Sequence, residues 1–209
     1  MPEVSESCTA ERPARVERMV RGMVALAAGS ARHFSELDAE IGDGDHGNNF
    51  SRGVDAAAAA VDRRRPQTWT DFCLIAGDSW LDASGGASGA LYGTLIRTMG
   101  DKMALGLSPT AAFGEAVEAL ARLGKAKVGD KTMLDVLVPV ANALNEGSPM
   151  SQALALARHR LEQTRSLRAR RGRASFLGER SVGHLDPGAA SSCAALEVIL
   201  MAVEFVDGT

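Results

Sequence analysis

The chain has 209 residues and a formal net charge of −3, and 45% of its residues are hydrophobic but only 4% aromatic. A chain of this length has room for one domain with a well-sized core. The slight negative charge argues against a general nucleic-acid-binding surface, and no apolar run approaches the ~20 residues that cross a bilayer. We therefore expect neither nucleic acid nor membrane as a partner.

The N-terminal stretch "MPEVSESCTAERPARV" contains acidic residues and no apolar segment. We expect no secretory signal here, a disordered tail over residues 1–10, and a single domain over residues 11–209. The three cysteines, Cys8, Cys73 and Cys193, have no metal-ligand spacing. An odd number of unpatterned cysteines indicates reduced thiols, which predicts a cytoplasmic protein.

Helical periodicity dominates the rest of the chain. The predicted helices span roughly residues 11–29, 46–63, 68–83, 85–102, 108–124, 131–146, 149–167 and 187–206. The best strand candidate, "DVLVPV" at 135–140, contains Pro139, which argues against a central strand. Most connections are short, so neighbouring helices should run antiparallel. The sequence predicts an all-α single domain with up-and-down helices.

Several of these boundaries have recognisable caps. Thr68, with Asp71 three residues later, predicts the start of the third helix. Ser108 followed by Pro109 predicts the start of the fifth helix, and Gly124 predicts its end.

An acidic, glycine-rich stretch, "AEIGDGDHGNNFSRG" at residues 39–53, follows the first predicted helix. Asp38, Asp43 and Asp45 lie within eight residues, and the glycines between them allow the backbone to bring the carboxylates together. Converging carboxylates repel one another unless a cation lies among them. Oxygen ligands alone indicate a hard cation, Mg²⁺ or Ca²⁺. The alternative is that the aspartates form a turn and a helix cap.

Three familiar motifs fit this chain badly. "GDGDHG" matches G-x-G-x-x-G, but no predicted strand precedes it. "GKAKVGDKT" resembles a P-loop, but Asp130 separates its second glycine from Lys131. A calcium loop beginning at Asp43 would place Gly47 and Val54 at positions that need oxygen ligands. We therefore reject all three interpretations.

Two further stretches suit a phosphate. Small residues, "SGGASG" at 84–89, head a predicted helix, and the exposed N–H groups of a helix start attract phosphate. The same small residues would also allow close helix packing. Residues 168–186 are rich in arginine, which recognises phosphate well, although basic runs are often merely solvated. The acidic cluster, the helix start and the arginine-rich loop together favour a nucleotide bound with Mg²⁺.

Four motifs, "EIGDGDHGNN", "GGASGALYGT", "GDKTMLDVLVPV" and "RGRASFLGERSVGHLDPGA", occur in this order. Together they closely resemble the L-type, nucleotide-binding subunits of bacterial dihydroxyacetone kinases, from about Leu37 to Ala189. The resemblance implies a barrel of eight antiparallel α-helices that holds ADP or ATP at one end through two Mg²⁺ ions. It matches Asp38, Asp43 and Asp45 to the metal ligands.

The resemblance also implies a set of nucleotide-binding residues, and no residue is assigned as catalytic. The set is His46, Gly47, Asn48, Asn49, Ala87, Ser88, Gly124, Met133, Arg173, Asp186, Pro187 and Gly188. Asn48 departs from the family, which usually has an apolar residue there, and Phe50 stands where Met is common.

The function that the resemblance implies needs other proteins. The ketose, dihydroxyacetone, would be held by a separate K-type subunit, and a phosphohistidine protein of the phosphotransferase system would phosphorylate the bound ADP. Two alternatives stay open at this point. One is a subunit of an ATP-dependent ketose kinase with exchangeable ATP, and the other is a nucleotide-loaded regulator that docks on a transcription factor. The four ordered motifs disfavour a purely structural helical domain.

Overall fold

The chain is almost entirely helical in a computed structural model that describes residues 7–83 and 86–204, with side chains for 14–83 and 89–202. Within these residues there are eight α-helices and no strand. The helices are α1 Ser7–Ile41, α2 His46–Arg64, α3 Trp69–Ala83, α4 Gly86–Ala104, α5 Pro109–Gly124, α6 Leu134–Asn145, α7 Met150–Gln163 and α8 Pro187–Glu204. Two 3-10 segments, Thr164–Ser166 and Arg173–Ser181, lie between α7 and α8.

The helices form a closed ring. Each helix packs against the next along the chain, and α8 packs against α1. Short connections make successive helices antiparallel. The prediction of one all-α domain built as a barrel of eight antiparallel helices is confirmed.

Glycine residues allow helices α3 and α4 to pack closely against each other. A Cβ atom at Gly77 would lie 2.5 Å from the backbone nitrogen of Arg97, and one at Gly93 would lie 2.6 Å from Leu81 Cγ. A larger side chain at either position would push the helices apart. The packing of α3 against α4 therefore requires a glycine at both positions.

Four of the nine aromatic residues meet in the core between helices α1 to α4. Phe50 makes edge-to-face contacts with Phe34, Trp80 and Tyr92, at centroid distances of 5.4–5.6 Å. These contacts join helices α1 to α4, and edge-to-face pairs add to the free energy of burial.

The main difference from the predicted elements is the length of α1. The helix continues through Gly29, where its end was predicted, to Ile41. Nothing lies within 4 Å of the position of a Gly29 Cβ, so this glycine is a solvent-facing helical residue and not a cap. Phe34 and Ile41 are buried in the continuation. Asp38 consequently lies on the last turn of a helix.

Other predicted boundaries lie close to the observed ones. The Thr68 hydroxyl accepts the Asp71 N–H at 3.0 Å, and the Ser108 hydroxyl accepts the Ala111 N–H at 3.3 Å, so both predicted caps are confirmed. The "DVLVPV" segment is helical, and Pro139 lies inside α6.

At the N-terminus, α1 begins at Ser7 and residues 1–6 lie outside the described part, so the expected tail over residues 1–10 stays a prediction. Among the described helices, none is both long and apolar enough to cross a membrane.

Candidate functional site

Three carboxylates meet where α1 turns into α2. Asp38 lies on the last turn of α1, and Asp43 and Asp45 lie in the loop that follows. One carboxylate oxygen from each residue lies within 4.8 Å of the other two. The predicted convergence of these side chains is therefore present in the folded chain.

The backbone of this loop explains the convergence. Asp38 Oδ2 accepts the N–H groups of Asp45 at 3.0 Å and His46 at 3.2 Å, so Asp38 caps α2 from the end of α1. Gly44 has φ +77°, a conformation that favours glycine. Asp45 precedes α2 but makes no side-chain cap bond. The helix-cap alternative thus holds for Asp38, while the Asp45 carboxylate stays available.

An arginine from a distant segment reaches the same cluster. Arg173 forms an ion pair with Asp43, although the two residues are 130 positions apart in the sequence. Arg173 is the first residue of the second 3-10 segment. That segment packs against α1. The pair puts one positive charge beside three negative ones, so the cluster keeps an excess of negative charge.

These donors fit Mg²⁺. All three are carboxylates, and hard divalent cations prefer oxygen ligands. A Cβ at Gly42 would lie 2.2 Å from Asp38 Oδ1, so only glycine leaves that oxygen clear. Asp38, Asp43 and Asp45 are the residues that would hold the ion.

A cavity of about 470 Å³ opens beside the acidic cluster. Its volume lies in the range of small-molecule sites. Asp38, Asp43, Asp45 and Arg173 lie at one side, and the remaining wall includes Leu91, Leu120, Leu123 and Met133. One part of the cavity is thus charged and another apolar, as a ligand with a phosphate tail and an aromatic base requires.

A second cavity, of about 260 Å³, has almost wholly apolar walls that include Met19, Trp69 and Met99. Arg15 is the one charged residue among the described residues that line it, and no carboxylate is there to hold a cation.

The segment before α8 forms another part of the wall of the charged cavity. Asp186 Oδ2 accepts the Ala189 N–H at 2.7 Å and so caps α8. Burial raises the pKa of Asp186 to about 7, the Ala189 bond opposes this rise, and the nearby Asp135 carboxylate adds to it. Asp186 therefore behaves as a weak acid inside the cavity wall.

Lys131 ties this segment to the loop before α6. The side chain is buried, and its ammonium donates to the carbonyl oxygens of Thr164, at 2.6 Å, and His184. Burial lowers the pKa of Lys131, while Asp186 and Asp135 oppose that effect. Lys131 lines the cavity with its neighbour Met133, and its contacts fix the distance between two walls.

His46 begins α2 and lies between the acidic cluster and the interior. Its Nε2 lies 2.7 Å from the Ser191 hydroxyl, which in turn lies 2.7 Å from the Tyr92 hydroxyl. Burial lowers the pKa of His46, and the charges of Asp38 and Asp45 oppose this effect. A buried polar chain thus runs from the cluster to α4 and α8.

Comparisons with known proteins place this geometry in a family. The DAK2 domain matches residues 40–201. The chain belongs to the DAK2 domain family. The match includes the loop, the cavity walls and the segment before α8, but it begins two residues after Asp38.

Curated relatives with this domain fall into two sizes. The chain is 41% identical over 172 residues to the ADP-binding subunit DhaL of a PEP-dependent dihydroxyacetone kinase from Listeria innocua, covering 79% of this chain and 84% of that one. It is 36% identical over 171 residues to the DhaL subunit of the PTS-dependent kinase from Lactococcus lactis, covering 82% and 88%. The resemblance to L-type subunits is confirmed.

Other relatives are longer than this chain, which matches one part of them. L-erythrulose 1-kinase from Mycolicibacterium smegmatis is 38% identical over 206 residues, which cover 91% of this chain but 36% of that protein. The crystal structure of the C. freundii dihydroxyacetone kinase aligns with a TM-score of 0.76 at 24% identity, over 90% of this chain and 34% of that one. This chain therefore spans about a third of those proteins, and the structural match supports the fold alone.

Most of the residues that the sequence places at the nucleotide line the cavity of this DAK2 domain. They are His46, Asn49, Gly124, Met133, Arg173, Asp186, Pro187 and Gly188, together with Asp38, Asp43 and Asp45. Asn48 is exposed and Gly47 faces α1, where a Cβ would lie 1.8 Å from Ala31 O. Ser84 and Gly85 lie outside the described residues, as do the side chains of Ala87 and Ser88. Nucleotide contacts at all these positions stay predictions.

Sequence reasoning missed the buried polar residues that support the site. Lys131 was considered only as a P-loop lysine and rejected, and Tyr92, Ser191 and Asp135 were not singled out. Asp135 holds the loop before α6 by accepting the N–H groups of Gly129 and Thr132, at 2.6 and 2.7 Å. For Asp135 the available signal was a charged residue inside the otherwise apolar start of α6, whereas Lys131 lies in the loop before that helix.

Proposed function

We propose that this chain is the nucleotide-binding subunit of a dihydroxyacetone kinase. The observation that supports the proposal most directly is the joining of three carboxylates and Arg173 at one side of a cavity with apolar walls. The relatives are named kinase subunits, which confirms the expectation of a phosphotransferase. In this proposal the chain holds ADP or ATP and delivers a phosphoryl group, and the acceptor sugar is bound elsewhere.

Each part of the cavity has a role in this function. Leu91, Leu120 and Leu123 would pack against the adenine base. The acidic cluster would hold Mg²⁺, which when bound neutralises phosphate charge. Arg173, paired with Asp43 in the absence of ligand, is long enough to turn toward a phosphate oxygen, since arginine binds carboxylate and phosphate in a similar geometry.

Charge balance favours two magnesium ions. ADP carries about three negative charges and the three aspartates add about three more, whereas one Mg²⁺ supplies only two positive charges. Two ions and Arg173 bring the total close to neutrality. Burying an uncompensated charge is costly, so we propose two Mg²⁺ per nucleotide.

We infer the partners from the names of the relatives. The DAK2 domain makes up about a third of the longer kinases. We infer that a K-type subunit binds the ketose in the cytoplasm, and that a phosphohistidine subunit of the phosphotransferase system rephosphorylates ADP without its release. The words PEP-dependent and PTS-dependent in the names of the short relatives support this donor.

Reconstitution tests this function. The purified chain, a K-type subunit and dihydroxyacetone would be mixed either with the phosphohistidine donor system or with ATP alone. The proposal predicts sustained production of dihydroxyacetone phosphate with the phosphohistidine donor, and with ATP alone at most the turnover allowed by the nucleotide already bound. Sustained turnover with ATP alone would contradict a phosphohistidine donor.

A second candidate is an ATP-dependent kinase for a four-carbon ketose. It is favoured by the 38% identity to L-erythrulose 1-kinase over 91% of this chain. The same assay distinguishes the two candidates when erythrulose replaces dihydroxyacetone and when exchange of radiolabelled ATP with bound nucleotide is followed. Rapid exchange together with a preference for erythrulose would favour this second function.

A further inference from the structure

A chain of buried hydroxyl groups leads from His46 into the barrel. His46 Nε2 lies 2.7 Å from Ser191 Oγ, and the Tyr92 hydroxyl lies 2.7 Å from Ser191 Oγ and 2.9 Å from Ser192 Oγ. All four residues are buried, and the two serines are almost completely so. Buried hydroxyl groups need partners, so their donors and acceptors can be assigned in sequence.

The carbonyl groups near Ser191 indicate which atom donates in each of these hydrogen bonds. Ser191 Oγ lies 3.0 Å from Pro187 O and 3.2 Å from Gly188 O, and its only hydrogen can be donated to one of these helix carbonyls. Its two lone pairs then accept from Tyr92 and from His46 Nε2–H, and the Tyr92 oxygen accepts from Ser192. If Ser191 donated to His46 instead, the bond to the carbonyl would be lost. The assignment that keeps a carbonyl bond and both contacts of Ser191, with Tyr92 and with His46, places the histidine proton on Nε2.

The other ring nitrogen has different surroundings. No hydrogen bond joins His46 Nδ1 to any residue with a described side chain, and His46 lines the cavity next to Asp38 and Asp45. With the proton on Nε2, Nδ1 carries only a lone pair and cannot donate to a carboxylate. A proton on Nδ1 would instead put a hydrogen-bond donor beside the acidic cluster, where it would compete with a cation for the same oxygens.

We propose that Ser191 and Tyr92 are positioning residues that keep the His46 proton on Nε2, so that Asp38 and Asp45 stay available to a cation. The effect on the cation rests on the proposed function, whereas the position of the proton does not. Partners that act through a residue next to a metal site commonly change metal affinity by a factor of about 10 or more. Ser192 offers a matched control, because it is buried in the same helix and contacts Tyr92 but not His46.

The first test determines which nitrogen carries the proton. The full chain, labelled with ¹⁵N and free of metal, is studied at neutral pH by long-range ¹H–¹⁵N NMR, and the His46 signals are assigned by their loss in His46→Gln. We expect the Nε2–H form in the wild type and in Ser192→Ala. In Ser191→Ala we expect a mixture or the Nδ1–H form, and in Tyr92→Phe a smaller change in the same direction.

Two results would overturn the assignment. One is a wild-type His46 with its proton on Nδ1, and the other is a Ser191→Ala spectrum identical to that of the wild type. Circular dichroism establishes that each variant is folded. If Ser191→Ala does not fold, Tyr92→Phe carries the test, because it retains the ring and removes only the hydroxyl.

The second test measures the affinity for Mn²⁺ in the presence of saturating ADP, by electron paramagnetic resonance of the free ion. Ser191→Ala should weaken binding by about tenfold, and Ser192→Ala should stay close to the wild type. A changed tautomer with unchanged Mn²⁺ affinity would refute the positioning role. A wild type that binds no Mn²⁺ with ADP would instead refute the proposed function, and the NMR result would still report the tautomer.

Discussion

The buried carboxyl of Asp186 makes the stability of the chain depend on pH in an unusual direction. Asp186 is only 8% exposed, and burial raises its pKa from 3.8 to about 7 in the folded chain. In the unfolded chain the group is solvated and releases its proton near pH 4. Between about pH 4 and 7 the folded state therefore binds more protons than the unfolded state. The free energy of unfolding should fall as the pH rises through this window.

Replacing Asp186 with Asn removes this dependence. Between pH 4 and 8 the wild type should lose free energy of unfolding relative to Asp186→Asn. The upper limit of this loss is about 4 kcal/mol, because the pKa differs by about three units and each unit corresponds to about 1.36 kcal/mol. The Asn side-chain oxygen can still accept the Ala189 N–H, so the α8 cap is retained. Asp186→Ala separates the two effects, because it lacks the cap and should be less stable by about 1 kcal/mol at every pH, while its pH slope should equal that of Asp186→Asn.

The assay is urea unfolding, followed by circular dichroism, at pH 5, 6, 7 and 8 in the presence of EDTA. The stability of Asp186→Asn relative to the wild type should increase steadily with pH. A difference that does not change with pH, or one that decreases as the pH rises, would refute the conclusion that burial dominates the pKa of Asp186.

Further predictions concern packing and the buried lysine. Gly77→Ala should lower the free energy of unfolding by about 1–3 kcal/mol or more, because its Cβ would meet the backbone of Arg97. Gly29→Ala should raise the free energy of unfolding by up to about 1 kcal/mol, since the new methyl group lies in open space on a helix. If urea unfolding showed the same change for Gly77→Ala and Gly29→Ala, the close α3–α4 contact would be disproved. Lys131→Met should cost about 3 kcal/mol through the loss of two carbonyl partners and a buried counter-charge. The exposed Lys127→Met should change stability by less than about 0.5 kcal/mol, and a Lys131→Met chain as stable as this control would contradict the structural role of Lys131.

Local sequence signals were sufficient for most of the fold. Thr68 and Ser108 predicted helix starts correctly because a cap depends on residues within one turn. Gly29 was misleading, because a glycine can end a helix or occupy an open helical position, and only the burial of Phe34 and Ile41 decides between them. The length of α1 therefore depended on tertiary packing.

The site was predictable to a similar degree and for a similar reason. The three aspartates are close in sequence and their convergence follows from a short turn. The contact between Arg173 and Asp43 is long-range, and the resemblance supplied Arg173 only as a nucleotide contact. The hydrogen bonds of Lys131 and Tyr92 join separate helices and loops. No local pattern marks them, because the same residues on an exposed helix face would be solvated.

The central claim is that Asp38, Asp43 and Asp45 hold a nucleotide through magnesium. Its most direct measurement is calorimetric titration of ADP into the nucleotide-free chain, with Mg²⁺ and with EDTA, for the wild type and for Asp45→Asn. Saturable binding to the wild type with Mg²⁺, and a loss of binding both in EDTA and in the variant, is the result that we predict. ADP binding of equal affinity with and without Mg²⁺, or undiminished in Asp45→Asn, would contradict the claim.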